Sequence, residues 1–192
     1  MRRTGMAGLA LAAAAVASCV SSPAESPSGI DSAQALPAGG ASMNADLTIS
    51  RNIAASHEHT ILNRAVIASG LSETLDAAGP VTLFAPTDKA FGLVDAARLE
   101  QWLAPEGKQE LAALLGAHAV PGRITAADIL ARIEAGGGQA SYRTLAGTDL
   151  TFFASGGVIR LESPQRTRSS VIQANIAQSN GIVHIIDAVL TP

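Results

Sequence analysis

The chain has 192 residues, 47% of them hydrophobic and 15% charged, and a formal net charge of −3. Such a chain can bury one core of ordinary domain size and is too short for two full domains. Removing residues 1–18, which contain Arg2 and Arg3 and no acid, would take the charge to −5, so it lacks the basic surface needed to hold a phosphate backbone, and nucleic acid is excluded as an expected partner.

Arg2-Arg3 precedes an apolar stretch, Met6 to Ala17, which is shorter than the roughly 20 residues a membrane-spanning helix needs and has the form of an export signal. The arginine pair alone leaves the export route open. Val16-Ala17-Ser18-Cys19 resembles the bacterial lipobox, with a branched apolar residue, two small residues and the single cysteine of the chain. A diacylglyceryl group on Cys19 would supply the two-chain anchoring that one acyl chain cannot. The competing reading is a secretory signal whose cleavage site happens to precede a cysteine. Val20 stands where an aspartate often retains lipoproteins at the inner membrane, so in a two-membrane cell the outer membrane is the expected address. With one cysteine, no disulfide can form within the chain and the domain must stand on its packing. Residues 19–46 are rich in Ser, Pro, Ala and Gly without an apolar period; this linker composition would hold the domain ~30 Å from a membrane. The expected organisation is a signal peptide at 1–18, a lipidated cysteine and linker at 19–46, and one domain at 47–192.

Within the domain, Ile49, Ile53, Ile61, Leu62 and Val66 recur at helical intervals around the polar His57-Glu58-His59, and Leu71 and Leu75 precede a Gly79-Pro80 stop. Two or three short helices are predicted. "VTLFAPTDKAF", residues 81–91, reads as a strand turning into a helix. A helix start can hold an anion on its unpaired N–H groups. Here, however, Thr87 can cap the helix, Pro86 and Phe91 stand at staple positions, and no glycine lies between Pro80 and Gly92 to let a backbone approach a phosphate. A structural corner is expected. Leu99, Trp102 and Leu103 share one helical face, and Leu111, Leu114, Leu115 and His118 share another. Pro121 ends that run. A helix restarts at Ile124–Ile129, with Thr125 as cap, Asp128 at the reciprocal position, and Ile124 able to pack on Ile129.

After Gly136-Gly137-Gly138 the apolar period changes to 2, predicting a meander of strands near 140–145, 149–154 and 157–162. "VIQANIAQ" alternates, placing Ile172, Ala174 and Ile176 on one side. Asn180-Gly181 offers the positive-φ pair of a type I′ hairpin. "IVHIIDAVL" is apolar on both faces, which suits a central strand buried from two sides.

"VTLFAPTDKAF" resembles the first signature box of fasciclin-like domains, "SNGIVHIIDAVLTP" resembles the second, and "LLGAHAVPGRIT" between them is similar to the family's central Tyr-His segment. "AASHEHTILNRAVIASGLSETL" matches the leading helices. The resemblance implies an α+β domain of fasciclin-like fold, a two-sheet β wedge packed with a layer of short helices, acting as an extracellular binding or adhesion module without established catalysis or cofactor. The family-motif positions Thr87, Asp88, Phe91, His118, Asn180, Gly181 and His184 are expected to be structural. Two departures stand out. The family's tyrosine is Ala117 here, and the Asp-Ile pair that some animal members use for integrin recognition is Asn175-Ile176, without the carboxylate.

The histidines are the natural enzyme candidates. A pair at i, i+2 such as His57 and His59 does not converge on a metal as i, i+4 would, so a solvated helix end is expected there. His118 and His184 lie among apolar residues and read as hydrogen-bonded core histidines. No GxSxG, Walker or HExxH pattern occurs, so neither catalytic nor metal-ligating residues are expected. The expected function is a monomeric, membrane-anchored module of the bacterial envelope that binds a cell-surface or matrix protein. A glycan partner is less favoured, since the chain is only 3% aromatic. The alternatives are a structural or biofilm-matrix protein without a defined ligand and, further away, a small hydrolase.

Overall fold

The computed structural model describes residues 43–77 and 79–191. Cys19, the signal segment and most of the linker lie outside the described residues. The first half is helical: α1 (Ile49–Ala55), α2 (Thr60–Ser69) and α3 (Ser72–Ala77) precede strand β1 (Val81–Pro86), followed by α4 (Asp88–Phe91), α5 (Ala96–Leu103), a 3-10 turn at Pro105–Gly107, and α6 (Lys108–Ala117). Then come β2 (Ala119–Pro121), α7 (Ala126–Ala135) and the meander β3 (Gln139–Arg143), β4 (Asp149–Ser155), β5 (Val158–Glu162), β6 (Arg168–Gln178) and β7 (Gly181–Ile186). Local signals account for several boundaries. Gly70 ends α2 in the left-handed region at φ 76°, and α7 opens on a full capping box between Thr125 and Asp128.

The strands follow the order β2-β1-β7-β6-β5-β4-β3, with β1 and β7 parallel and every other pair antiparallel. Two leaves share the long strand β6. Its residues Arg168–Ser170 pair with β5, while Val171–Gln178 pair with β7. Register shifts between Val171 and Gln173 and between Gln173 and Ile176 bend the strand where it changes partner. The turn after β3 reaches back across the wedge, where Leu145 N–H donates to Ala119 O at 2.8 Å and Ala146 N–H donates to Gly116 O at 3.1 Å.

All six residues of β1 and all six of β7 are buried, because each strand faces a different core on either side. Val81, Leu83, Ala85 and Val183 join α1, α2, α5 and α6 in one cluster with Ile53, Leu62, Trp102 and Leu114. Phe84 and Ile186 instead enter the wedge with Ile129 and Ile133 of α7 and Leu150, Phe152 and Leu161 of the meander. Met43 packs against the first cluster, and buried Asn52 fixes the segment before α1 by accepting from Asn44 N–H (2.8 Å) and donating to Asn44 O (2.7 Å) and to the Gln178 amide oxygen.

The structure departs from the sequence pattern in four places. Strand β2 was not expected, since Pro121 reads as a breaker; it is a three-residue edge strand, where a proline removes no needed ladder bond. "IVHIIDAVL" is strand only to Ile186, although Val189 and Leu190 remain buried. The alternation of Ile172, Ala174 and Ile176 does not make one buried side, because the register shifts turn Ile172 outward to 45% exposure. The β6–β7 hairpin is closed by Gln178 opposite Gly181, and neither Asn180 nor Gly181 has positive φ. A type I′ turn is therefore ruled out.

Candidate functional site

The corner between β1 and α4 is built from two caps. Thr87 is extended (φ −74°, ψ 166°) and its Oγ1 accepts from Ala90 N–H at 3.2 Å, capping α4 as its spacing predicts. Asp88 caps a different helix. Its Oδ2 accepts from Thr60 N–H (3.1 Å) and Thr60 Oγ1–H (2.6 Å), and its Oδ1 accepts from Ile61 N–H (2.9 Å), so it supplies the start of α2 with the acceptors that His59, at the N-cap position, does not. Asp88 N–H in turn donates to Glu58 O at 2.8 Å. The Thr-Asp pair thus locks β1, α4 and α2 together. An anion approaching this corner would meet N–H groups already engaged and the carboxylates of Glu58 and Asp88. Thr87→Ala is expected to cost about 1 kcal/mol and Asp88→Ala about 2 to 3 kcal/mol, since the latter leaves charge-assisted bonds to two N–H groups unmade. Urea unfolding with and without phosphate at constant ionic strength checks both values; a phosphate stabilisation of the unsubstituted protein would contradict the structural corner.

His118 and His184 are both fully buried, and each sits between one acceptor and one donor. The His118 Nδ1 lies 2.8 Å from Leu114 O while Nε2 accepts from Leu190 N–H at 3.0 Å. The His184 Nε2 lies 2.9 Å from Ile124 O while Nδ1 faces Asn175 N–H at 3.4 Å. Each arrangement fits a neutral ring that donates from one nitrogen and accepts at the other. A second proton would set N–H against N–H. Burial accordingly pushes His118 down to about 4 against the pull of Leu114 O, and burial also lowers His184. His184 further stacks on Phe84, 5.3 Å between centroids and 16° between planes.

The pair His57 and His59 splits, one out and one in. His57 and Glu58 are exposed, but His59 is fully buried, with Nδ1 at 2.8 Å from Ser56 Oγ and its pKa lowered by burial. The expected solvated helix end therefore holds for only half of the motif, because His59, at the N-cap position of α2, is buried and held by Ser56 at the C-cap position of α1. Among the described residues no group of three His, Cys, Asp or Glu could hold a metal ion.

Asn180 and Gly181 are structural for reasons the sequence pattern does not carry. The Asn180 Oδ1 accepts from Ile49 N–H (3.0 Å) and its Nδ2 donates to Leu75 O (2.7 Å), tying the start of α1 to α3. Gly181 lies against β1 where a Cβ would stand 1.9 Å from Val81 O. Phe91 is buried in the first core. Asn175, in the left-handed region at φ 60°, accepts at Oδ1 from Ala126 N–H (2.8 Å), the first residue of α7. The residue in the place of the integrin-binding aspartate is thus a second cap.

Two shallow hollows flank α4. One, of about 250 Å³, is lined by His57, Glu58, Lys89 and Ile172 with the Thr-Asp corner at its base. The other, of about 300 Å³, lies between Leu93, Arg98, Thr167 and Thr191. Leu93 is 77% exposed and Ile172 is 45% exposed. Trp102 is buried, and Tyr142 is half-buried with the Arg132 guanidinium 4.4 Å from its ring centre, so the two aromatic residues form no exposed platform.

The family model for the Fasciclin domain matches residues 57–192. Protein sll1483 of Synechocystis sp. (strain ATCC 27184 / PCC 6803 / Kazusa) is 37% identical over 152 residues, which cover 79% of this chain and 77% of that protein. Transforming growth factor-beta-induced protein ig-h3 of Sus scrofa is 31% identical over 132 residues, 68% of this chain and 17% of that much longer one. A solved structure of a FAS1 domain pair from the insect cell adhesion molecule Fasciclin I superposes with a TM-score of 0.55 at 26% identity, covering 69% of this chain and 44% of the insect chain.

Proposed function

The chain belongs to the fasciclin domain family, and from that premise we propose that it is an exported, lipid-anchored binding module of the bacterial envelope that adheres to a protein partner and performs no catalysis. Fasciclin domains are associated with adhesion and binding. The observation that carries the reading for this chain is the pair of exposed apolar residues, Leu93 and Ile172, one on each hollow beside α4. Apolar side chains beside charged ones at a concave surface are what a protein interface uses for its contact area. The buried Trp102 and the covered Tyr142 give a sugar ring nothing to stack on, which favours protein over glycan. Both core histidines have their two nitrogens engaged and their pKa values lowered by burial, which supports binding over hydrolysis.

The lipobox-like run ending at Cys19 supports the anchor, and Val20 favours the outer membrane. The test has two arms. Cys19→Ala should move the protein from carbonate-washed membranes to the soluble fraction. A Leu93→Ser, Ile172→Ser double variant of that soluble form, with unchanged melting temperature, should lose at least 10-fold in retention of the envelope proteins that the single variant captures. Equal capture by both would remove the α4 face from the proposal, and retention of Cys19→Ala on membranes would remove the anchor.

A further inference from the structure

A cavity of about 140 Å³ lies between the helices and the β1–β2 edge of the sheet, lined by residues of α2, α3, α6, β1, β2 and the turn after β3. Its walls are Leu62, Val66, Leu83 and Leu115, and Thr74 is the one polar side chain that reaches it. Each buried, unpartnered side-chain polar atom among the described residues belongs to Thr48, His59, Trp102 or Gln173, none of which lines the space. A water inside would therefore find few partners. A cavity of roughly 150 Å³ walled by leucine-like side chains stays dry and accepts benzene.

The space is built by small residues at fixed positions. Ala112 and Gly116, one turn apart on α6, face Ala119 and Ala146. The turn that carries Ala146 cannot collapse inward, because Leu145 N–H is bonded to Ala119 O and Ala146 N–H to Gly116 O. Leu145 stands at the mouth, 42% exposed, and Ala146 beside it is also exposed. The cavity is thus preformed, apolar and reachable from solvent.

We propose that this cavity is a binding site for a small apolar molecule: a free hydrocarbon group of about six carbons, such as an unsubstituted aromatic ring, with no hydrogen-bonding group on its buried part. The size limit follows from the volume. The chemical limit follows from the walls, since a hydroxyl carried inside would lose its water without gaining a partner. The site is separate from the α4 face and does not depend on it.

The experiment uses the full chain carrying Cys19→Ala, purified without detergent, with benzene as the probe and phenol as its polar counterpart. Benzene near saturation should raise the melting temperature by about 2 to 5 °C, and phenol at equal concentration by less than half of that. Magnetisation transfer from benzene protons should reach the methyl groups of Leu83 and Leu115. Ala112→Leu and, at the exposed turn, Ala146→Leu fill the space from two sides. Each should abolish the benzene effect while leaving the melting temperature without benzene equal to or above that of the parent. No benzene effect in the parent, an equal effect of phenol, transfer only to methyl groups that do not line the cavity, or a benzene effect that survives in a folded filled variant would each overturn the proposal.

Discussion

Replacing Gly181 by alanine is expected to destabilise the domain by about 3 kcal/mol or more, a large share of the roughly 5 to 15 kcal/mol that holds a domain folded. The added Cβ would stand 1.9 Å from Val81 O and 2.9 Å from Val81 C, and both are backbone atoms of the neighbouring strand. No rotamer can relieve a clash between Cβ and backbone, so β1 and β7 must separate at the end of their parallel ladder, where Val81 N–H also bonds Asn180 O at 3.2 Å. The bonds from Asn180 to α1 and α3 would move with them. Gly79→Ala makes a control on the same side of the domain, because its Cβ would meet nothing within 4 Å. That change should be neutral or stabilise by a few tenths of a kcal/mol through the unfolded chain. Urea midpoints of the two variants measure the contrast, and a Gly181→Ala protein as stable as Gly79→Ala would show that the close approach of the strands is not needed.

The second large effect is on pH. His118 titrates near 4 in the folded domain and near 6.5 when unfolded. Because the folded value is the lower one, the unfolded chain takes up the proton first as pH falls. Stability is therefore complete above about 6.5, declines as pH drops toward 4, and changes no further from this group below that. Over the window His118 alone accounts for about 3 kcal/mol. His184 and His59 are lowered by the same cause and act in the same direction. The measurement is the urea midpoint at pH 7.0, 5.5 and 4.5 in the parent and in His118→Gln. The variant should be less stable at pH 7, having lost a fitted ring, yet show a visibly flatter decline between pH 6.5 and 4. A decline of equal steepness in both would mean that His118 does not carry the linkage.

These two effects also mark where the sequence could be read and where it could not. Caps that work within one turn were visible: Thr87 to Ala90 and Thr125 to Asp128 lie three residues apart, and both are present. The helical stripes of α5 and α6, the meander, and the double-faced burial of β7 followed from period alone. Caps that work across the chain were hidden. Asp88 serves Thr60 and Ile61, and Asn175 serves Ala126, at separations no local pattern encodes. Asn180-Gly181 misled for the same reason. As an isolated dipeptide it favours a type I′ turn, but the asparagine is needed for its amide bonds to Ile49 and Leu75, and the glycine for the space beside Val81. The outward turn of Ile172 depends on two register shifts that a strict period of 2 cannot contain. The hollows beside α4 and the cavity beneath α2 are gaps between elements distant in sequence, so no run of residues announces them.

The parallel pairing of β1 with β7 bears on when the domain can form at all. Val81 and Gly181 are partners one hundred residues apart in the chain. Until β7 is available, β1 has only the three-residue β2 beside it, and Phe84, Leu83 and Ala85 have no sheet to bury them. At a synthesis rate of roughly 5 to 20 residues per second, the first strand waits about 5 to 20 s for its neighbour. Closing so long a loop before any of its contacts are rewarded also slows the folding step itself. The nascent chain should therefore stay open, with its apolar first half exposed to chaperones, until nearly the whole of the domain has been synthesised. Any truncation that removes β7 is expected to yield a chain that remains unfolded rather than a smaller stable core.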